Sequence, residues 1–263
     1  MASNDQELVQ LTRDGDTATL KLNRAKSRNA INQSMWEDIS EKLDVITADT
    51  SIRVLVVTGH GGSFSAGADI VEFEQLCRSP KDLRYNNELL QATQEKLEAL
   101  PRPTIAMIEG NCFGAGLGLA LSCDLRMASA DAAFSIPPAK LGIVYSMRDT
   151  KRLLALVGPA VTKEMLFTGK RLSTEQALSV GLVNHLCTPE QLKIETYELA
   201  EQIAQNSQFS TRNIKRVIAA LQNIDDLDND AAEQLFNDAF LSEDAQEGIA
   251  AFREKRRPQF TWS

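Results

Sequence analysis

The stretch that decides the reading is Thr104-Ile105-Ala106-Met107-Ile108, followed at once by Gly110-Asn111-Cys112-Phe113-Gly114-Ala115-Gly116-Leu117-Gly118-Leu119. The first five residues predict a strand that is apolar on both faces, as in a buried parallel sheet. Gly114-Ala115-Gly116 then opens a helix over Gly116–Ser122. A helix start presents N–H groups that lack intrahelical acceptors, and glycine lets another group approach the backbone closely. The spacing satisfies neither a dinucleotide fingerprint nor a P-loop. Taken alone, such a cluster is better read as close helix–strand packing.

A second turn of the same kind changes the argument. Val54–Thr58 predicts another apolar strand, and Phe64-Ser65-Ala66-Gly67-Ala68-Asp69-Ile70 leads from it into a helix. The two turns lie about 45 residues apart, the length of a crossover between parallel strands. Parallel strands bring both helix starts to one sheet edge. Two backbone N–H groups there can converge on a single carbonyl oxygen, as acyl-transfer or enolate-forming chemistry requires.

Outward from these turns, strands are predicted at Glu7–Thr12, Thr17–Leu22, Leu125–Ala128 and Leu182–Leu186, with a turn at Asp14-Gly15-Asp16. Helices are predicted at Met35–Ile46, with Asn32 or Ser34 as N-cap, and at Asn86–Leu100, stopped by Pro101. After about residue 150 helices dominate: Asp149–Val157, Ala160–Phe167, Thr174–Val180, Pro189–Asn206, Thr211–Gln222, Ala231–Leu241 and Asp244–Glu254. The class is therefore α/β, with a core over 1–200 and a helical region over 201–263 that is not an independent domain.

Composition bounds the function. The chain has 263 residues, 43% of them hydrophobic, and a net charge of −8. An acidic chain with scattered basic residues is a poor partner for nucleic acid. No apolar run is long enough to span a bilayer, so membrane insertion is not expected. The N-terminus is polar and resembles no targeting segment, and the four cysteines show no metal-ligand spacing, so a reduced cytoplasmic setting is expected. With only His60 and His185, a histidine metal site or a Ser-His-Asp triad has little to build on.

These motifs, in this order, resemble the enoyl-CoA hydratase/isomerase family. Leu22-Asn23-Arg24 with Arg28-Asn29-Ala30-Ile31-Asn32 resembles its N-terminal signature. Phe64–Ile70 and Gly110–Asp124 resemble its two oxyanion turns. Lys170-Arg171-Leu172, Gly181-Leu182-Val183-Asn184 and Glu247-Gly248 through Arg256 resemble its later segments. The resemblance implies a crotonase fold: a spiral of ββα units with C-terminal helices that build trimers, often paired as dimers of trimers. It implies a CoA thioester as substrate or ligand and no further cofactor. It places the thioester oxygen between the N–H groups of Ala68 and Ala115. It places Ala30, Ala66, Asp69 and Ile70 along the CoA path and Arg24 and Arg28 near its phosphates. Phe252 and Lys255 fall on a helix that reaches CoA, often from a neighbouring subunit.

The family pattern fails at two positions. Family hydratases carry a glutamate two residues after the glycine triplet, where this chain has Gly118, and a second after a proline, where it has Pro138. Neither residue can move a proton, so hydration is expected to be weak or absent. The family's aryl-CoA dehalogenases need a carboxylate nucleophile, and the matched position holds Ser146. Leu141-Gly142-Ile143-Val144-Tyr145 resembles the segment of methylmalonyl-CoA decarboxylases that turns a tyrosine toward the substrate carboxylate. Three readings follow: lyase or isomerase chemistry on an acyl-CoA, β-carboxyacyl-CoA decarboxylation with Tyr145, and a non-catalytic acyl-CoA carrier or sensor. Tyr145 also fits a core position. Asp149 is expected to cap or enter a helix, Asp124 to sit in a turn, His185 to be a satisfied structural histidine in an apolar strand, and His60 to be exposed.

Overall fold

Strand β1 (Val9–Asp14) turns at Gly15 and returns antiparallel as β2 (Thr17–Leu22). Gly15 has φ +55, which a side chain disfavours. The computed structural model describes residues 7–222 and 242–261. β2 then pairs in parallel with β3 (Val54–Gly59), and the sheet continues through β4 (Thr104–Ile108), β6 (Leu125–Ser129) and β9 (His185–Cys187). A second sheet holds β5 (Asn111–Phe113), β7 (Ala133–Ser135) and β8 (Leu172–Ser173). Two successive units, β4–β5 and β6–β7, therefore send one strand to each sheet before a helix follows.

The continuous apolar strands are explained by two layers of core. Along β3, Leu55 and Val57 enter the larger cluster, while Val54 and Val56 face a second cluster with Leu192, Ala200 and Ala204 of α8 (Pro189–Ala204). β4 divides the same way, Ala106 and Ile108 against Ile105 and Met107. Alternate side chains of a strand point to opposite faces, so a sheet covered on both sides needs apolar residues throughout.

Helix α1 (Gln33–Ala48) buries Met35, Trp36, Ile39, Leu43 and Ile46. Its N-cap is Asn32, whose side-chain oxygen accepts from Met35 N at 3.0 Å. α2 spans Ile70–Leu76. α3 runs over Pro80–Glu98 and starts six residues ahead of the expected Asn86. Ser79 caps it and Pro80 occupies its first turn, where a missing N–H costs nothing. α4 is Ala115–Leu121 and α5 is Pro138–Leu141. The expected pair Asp149–Val157 and Ala160–Phe167 is one long element, α6 (Met147–Thr168), broken at Gly158 (φ +71, ψ 173) ahead of Pro159.

α7 (Thr174–Ser179), α9 (Gln208–Gln222) and a C-terminal helix over Glu243–Glu254 complete the described elements. The expected helix Ala231–Leu241 lies outside the described residues. Two expectations need correction. The strand over Leu182–Leu186 begins only at His185, and that histidine is exposed on β9, the last strand of the sheet. The second sheet has no counterpart in the sequence reading, since strands of two or three residues are too short to show a period.

Candidate functional site

The two glycine turns are built against each other. Phe64 N donates to Glu109 O at 2.7 Å and Ser65 N to Asn111 O at 2.8 Å. Phe113 N donates back to Ser65 O at 3.0 Å. This short parallel rung sets the turns in register. A Cβ on Gly67, whose φ is +103, would lie 3.0 Å from Phe113 O and 3.8 Å from Ala115 N. A Cβ on Gly116 would lie 2.5 Å from the Ser65 Cβ. Both positions need glycine because the other turn fills the space.

The Ala68 and Ala115 N–H groups stand at this junction. Ile31 pairs with the first turn through Gly67 O and the Asp69 N–H, which leaves the Ala68 N–H out of the pairing. Ala115 is the first residue of α4, where no intrahelical acceptor exists. Ala68 is exposed and Ala115 half-buried.

A cleft of about 690 Å³ runs from the first turn and is lined in part by Arg24, Ala30, Ala66, Ala68, Asp69 and Ile70. Six of the expected binding residues thus share one wall. Arg24 donates to the Asp69 carboxylate and, at 3.1 Å, to Ala30 O. Asp69 also caps α2, accepting from Val71 N at 3.0 Å and Glu72 N at 3.3 Å. The Arg24 hydrogen bond, with those amides, holds the Asp69 carboxyl below its ordinary range. Arg28, Phe252 and Lys255 are exposed and do not line this cleft among the described residues. Phe252 is 87% exposed, on the C-terminal helix.

Asn29 carries a role that motif reading missed. It is fully buried with φ 55, a left-handed conformation that asparagine tolerates better than most residues. Its Nδ2 donates to His60 O at 2.9 Å and Ser63 O at 2.6 Å, and its Oδ1 accepts from Arg24 N at 2.8 Å. Ser65 Oγ donates to Asn29 O at 2.7 Å and accepts from Gly67 N at 3.1 Å. The N-terminal signature is thereby bolted under the first turn. The only local signal is two successive left-handed residues, Arg28 and Asn29, whose side chains do not demand it.

Tyr145 is half-buried behind the second turn, and its hydroxyl donates to Gly114 O at 3.3 Å. Asp149 enters the first turn of α6 as expected, with Ser146 as the cap, but it is buried. Its neighbour Arg148 pairs with Glu95. Asp124 accepts from Thr104 N at 2.8 Å and Lys215 Nζ at 2.9 Å, tying the turn before β6 to α9. His60 is exposed. All four cysteines are free, and burial pushes the Cys123 thiol up to about 12 and the Cys112 thiol well above its ordinary range, so neither is a nucleophile. No described helix is long and apolar enough to cross a membrane.

The two-sheet spiral with its helices is the crotonase fold. The chain belongs to the enoyl-CoA hydratase/isomerase family, whose model matches residues 12–262. It is similar to the crotonyl-CoA hydratase of Syntrophomonas wolfei, 34% identical over 259 residues that cover 97% of this chain and 98% of that protein. Among solved structures it is similar to an enoyl-CoA hydratase/carnithine racemase from Magnetospirillum magneticum, with a TM-score of 0.91, 32% identity and coverage of 98% and 96%. It also resembles the enoyl-CoA hydratase of Bacillus anthracis, with a TM-score of 0.88, 30% identity and coverage of 97% and 99%.

Proposed function

We propose that this protein binds an acyl-CoA thioester and stabilises its enolate between the N–H groups of Ala68 and Ala115. The observation that supports this reading is the abutment of the two glycine turns, with both amides left without internal acceptors. Such donors act on the charge that develops on the thioester oxygen and need no particular side chain. The cleft that holds Arg24, Ala30, Ala66, Asp69 and Ile70 is the path for CoA. Arg28, Phe252 and Lys255 meet it from outside, the last two from a neighbouring subunit. The CoA thioester is the only small-molecule partner in this reading, and no cofactor is required.

Water addition is weak or absent. Several relatives are named as hydratases, including that of Syntrophomonas wolfei, but Gly118 and Pro138 stand where the family resemblance calls for the two glutamates. Loss of a positioned acid or base costs roughly 10²–10⁴-fold, and two such losses need not multiply. A second reading, β-carboxyacyl-CoA decarboxylation, draws on the Tyr145 hydroxyl, which lies within 3.3 Å of the second turn at Gly114. That reaction needs the oxyanion donors and an oriented carboxylate.

The protein assembles as a homotrimer or a dimer of trimers, through the region 201–263. On α9, Ile214, Ile218 and Leu221 are exposed at helical spacing, an apolar stripe on the described part of the chain. Light scattering at a multiple of 29.0 kDa is expected, and a single-chain mass at micromolar concentration refutes it.

The deciding experiment combines calorimetric binding of a C4 to C16 acyl-CoA series with turnover of crotonyl-CoA and methylmalonyl-CoA. Binding with little crotonyl-CoA hydration is expected. Binding with no turnover of any acyl-CoA leaves the carrier or sensor reading. No heat and no thermal shift across the series overturns all three.

A further inference from the structure

The place left by one missing glutamate is already filled. A Cβ on Gly118 would lie 2.5 Å from Gln94 Nε2 and 3.0 Å from Asp149 Oδ1. No side chain fits at Gly118 unless those groups move. The gap lies one turn along α4 from Ala115, on the same helix face, where neighbouring Cβ positions stand about 5–6 Å apart. A carboxylate therefore does stand beside the second turn. It arrives from α6 and not from α4.

Asp149 is held in place with care. It is 2% exposed. Ser146 Oγ donates to its Oδ2 at 2.9 Å, and Arg152 Nη1 donates to its Oδ1 at 3.0 Å. Arg152 does not depend on it, because Glu98 accepts from Arg152 Nη2 at 2.6 Å and from Nε at 3.1 Å. Gln94 Oε1 accepts from Arg152 Nη1 at 3.3 Å, while the fully buried Gln94 Nε2 has no partner and borders the same gap. A buried amide nitrogen with no acceptor costs free energy in the free protein, and buried titratable groups held away from their ordinary range concentrate at functional sites. The charged and titratable groups around Asp149 are Arg152 on α6, Glu98 on α3 and Tyr145 ahead of α6, and Gly118 on α4 adds none. Burial pushes the Asp149 carboxyl above its ordinary range, against the pull of Ser146 and Arg152.

We propose that Asp149 is the proton-exchanging carboxylate of this site and acts on the α-carbon of the bound acyl-CoA. This inference rests on the acyl-CoA reading above. In the step, the Asp149 carboxylate takes the α-proton. A C–H bond breaks and an O–H bond forms. The electron pair passes to the thioester oxygen, between the Ala68 and Ala115 N–H groups. The reverse step returns a proton to carbon. Ser146, half-exposed, links the carboxyl to solvent, so the proton returned carries the solvent isotope.

The test uses the full chain with butyryl-CoA in deuterated water, with α-hydrogen exchange followed by NMR and binding followed by calorimetry. The wild type is expected to bind and to exchange. Asp149→Asn keeps the shape and is expected to bind within a few-fold of wild type, with exchange slowed by about 10²–10⁴-fold. Wild-type binding without exchange overturns the proposal, as does unchanged exchange in Asp149→Asn, which makes Asp149 a structural partner of Arg152. If Asp149→Asn does not fold, the paired variant Gly118→Glu/Asp149→Gly decides. Exchange by that variant supports a carboxylate acting in this gap, and its absence in a folded, ligand-binding variant overturns it. Failure of the wild type to bind butyryl-CoA instead overturns the acyl-CoA reading itself.

Discussion

The Tyr145 hydroxyl donates to the carbonyl oxygen of Gly114, the residue that precedes the Ala115 N–H. Gly114 N in turn donates to Ser135 O at 2.9 Å, so the turn is braced from two sides. Burial pushes the Tyr145 phenol well above its ordinary range, so it acts as a neutral donor. Tyr145→Phe is expected to cost about 0.5–1.5 kcal/mol in a denaturant titration, the usual net worth of one hydrogen bond. Butyryl-CoA binding should change little. If methylmalonyl-CoA is a substrate and the phenol meets its carboxylate in the transition state, turnover should fall about 10- to 200-fold. Unchanged turnover leaves the phenol as a brace only.

Asn29 separates backbone conformation from hydrogen bonding. Asn29→Ala loses three side-chain hydrogen bonds, one of them fully buried, and places alanine at φ 55. A loss of about 3–4 kcal/mol is expected, from unanswered buried groups and left-handed strain together. Asn29→Gly relieves the strain alone and should recover about 1 kcal/mol of it. Equal losses in the two variants, read by chemical denaturation, would show that the left-handed backbone contributes nothing.

The Arg24–Asp69 pair carries a pH signature. The Asp69 carboxyl sits below its ordinary value of 3.8 in the folded protein, first because Arg24 donates to it. Its stabilising contribution is complete above 3.8 and is lost as pH falls through the folded value. Asp69→Asn retains a good helix cap and removes the charge. It should lower stability by about 0.5–1 kcal/mol at neutral pH. Thermal melts should show the gap between wild type and variant closing as pH drops below 3.8. A gap independent of pH refutes the assignment.

Gly116 tests the contact between the two turns. Gly116→Ala sets a methyl 2.5 Å from the Ser65 Cβ, which has no room to retreat while its hydroxyl is bound to Asn29 O. Overpacking of this kind costs about 1–3 kcal/mol. The first turn should be displaced, and butyryl-CoA affinity should fall along with stability. Stability lost with affinity unchanged would separate this contact from ligand binding.

Much of the molecule is legible without a structure. Apolar runs such as Val54–Val57 and Thr104–Ile108 announce strands covered on both faces, because every second side chain must meet a different layer. Two glycine turns after such strands, with the flanking signatures, identify the family. Local sequence could not show what arises from contacts between distant segments. The strands β5, β7 and β8 are too short to carry a period and exist because their neighbours supply the partners. His185 lies in an apolar run yet is exposed, since only the order of strands makes β9 an edge. Arg24 meets Asp69 across 45 positions of chain. The space beside Gly118 reads as empty along the chain, and only the packing of α4 against α3 and α6 reveals that Asp149 and Gln94 fill it. Spacing along a chain specifies which face a residue takes on its own element, while the side chains that share a cavity are decided by how the elements pack.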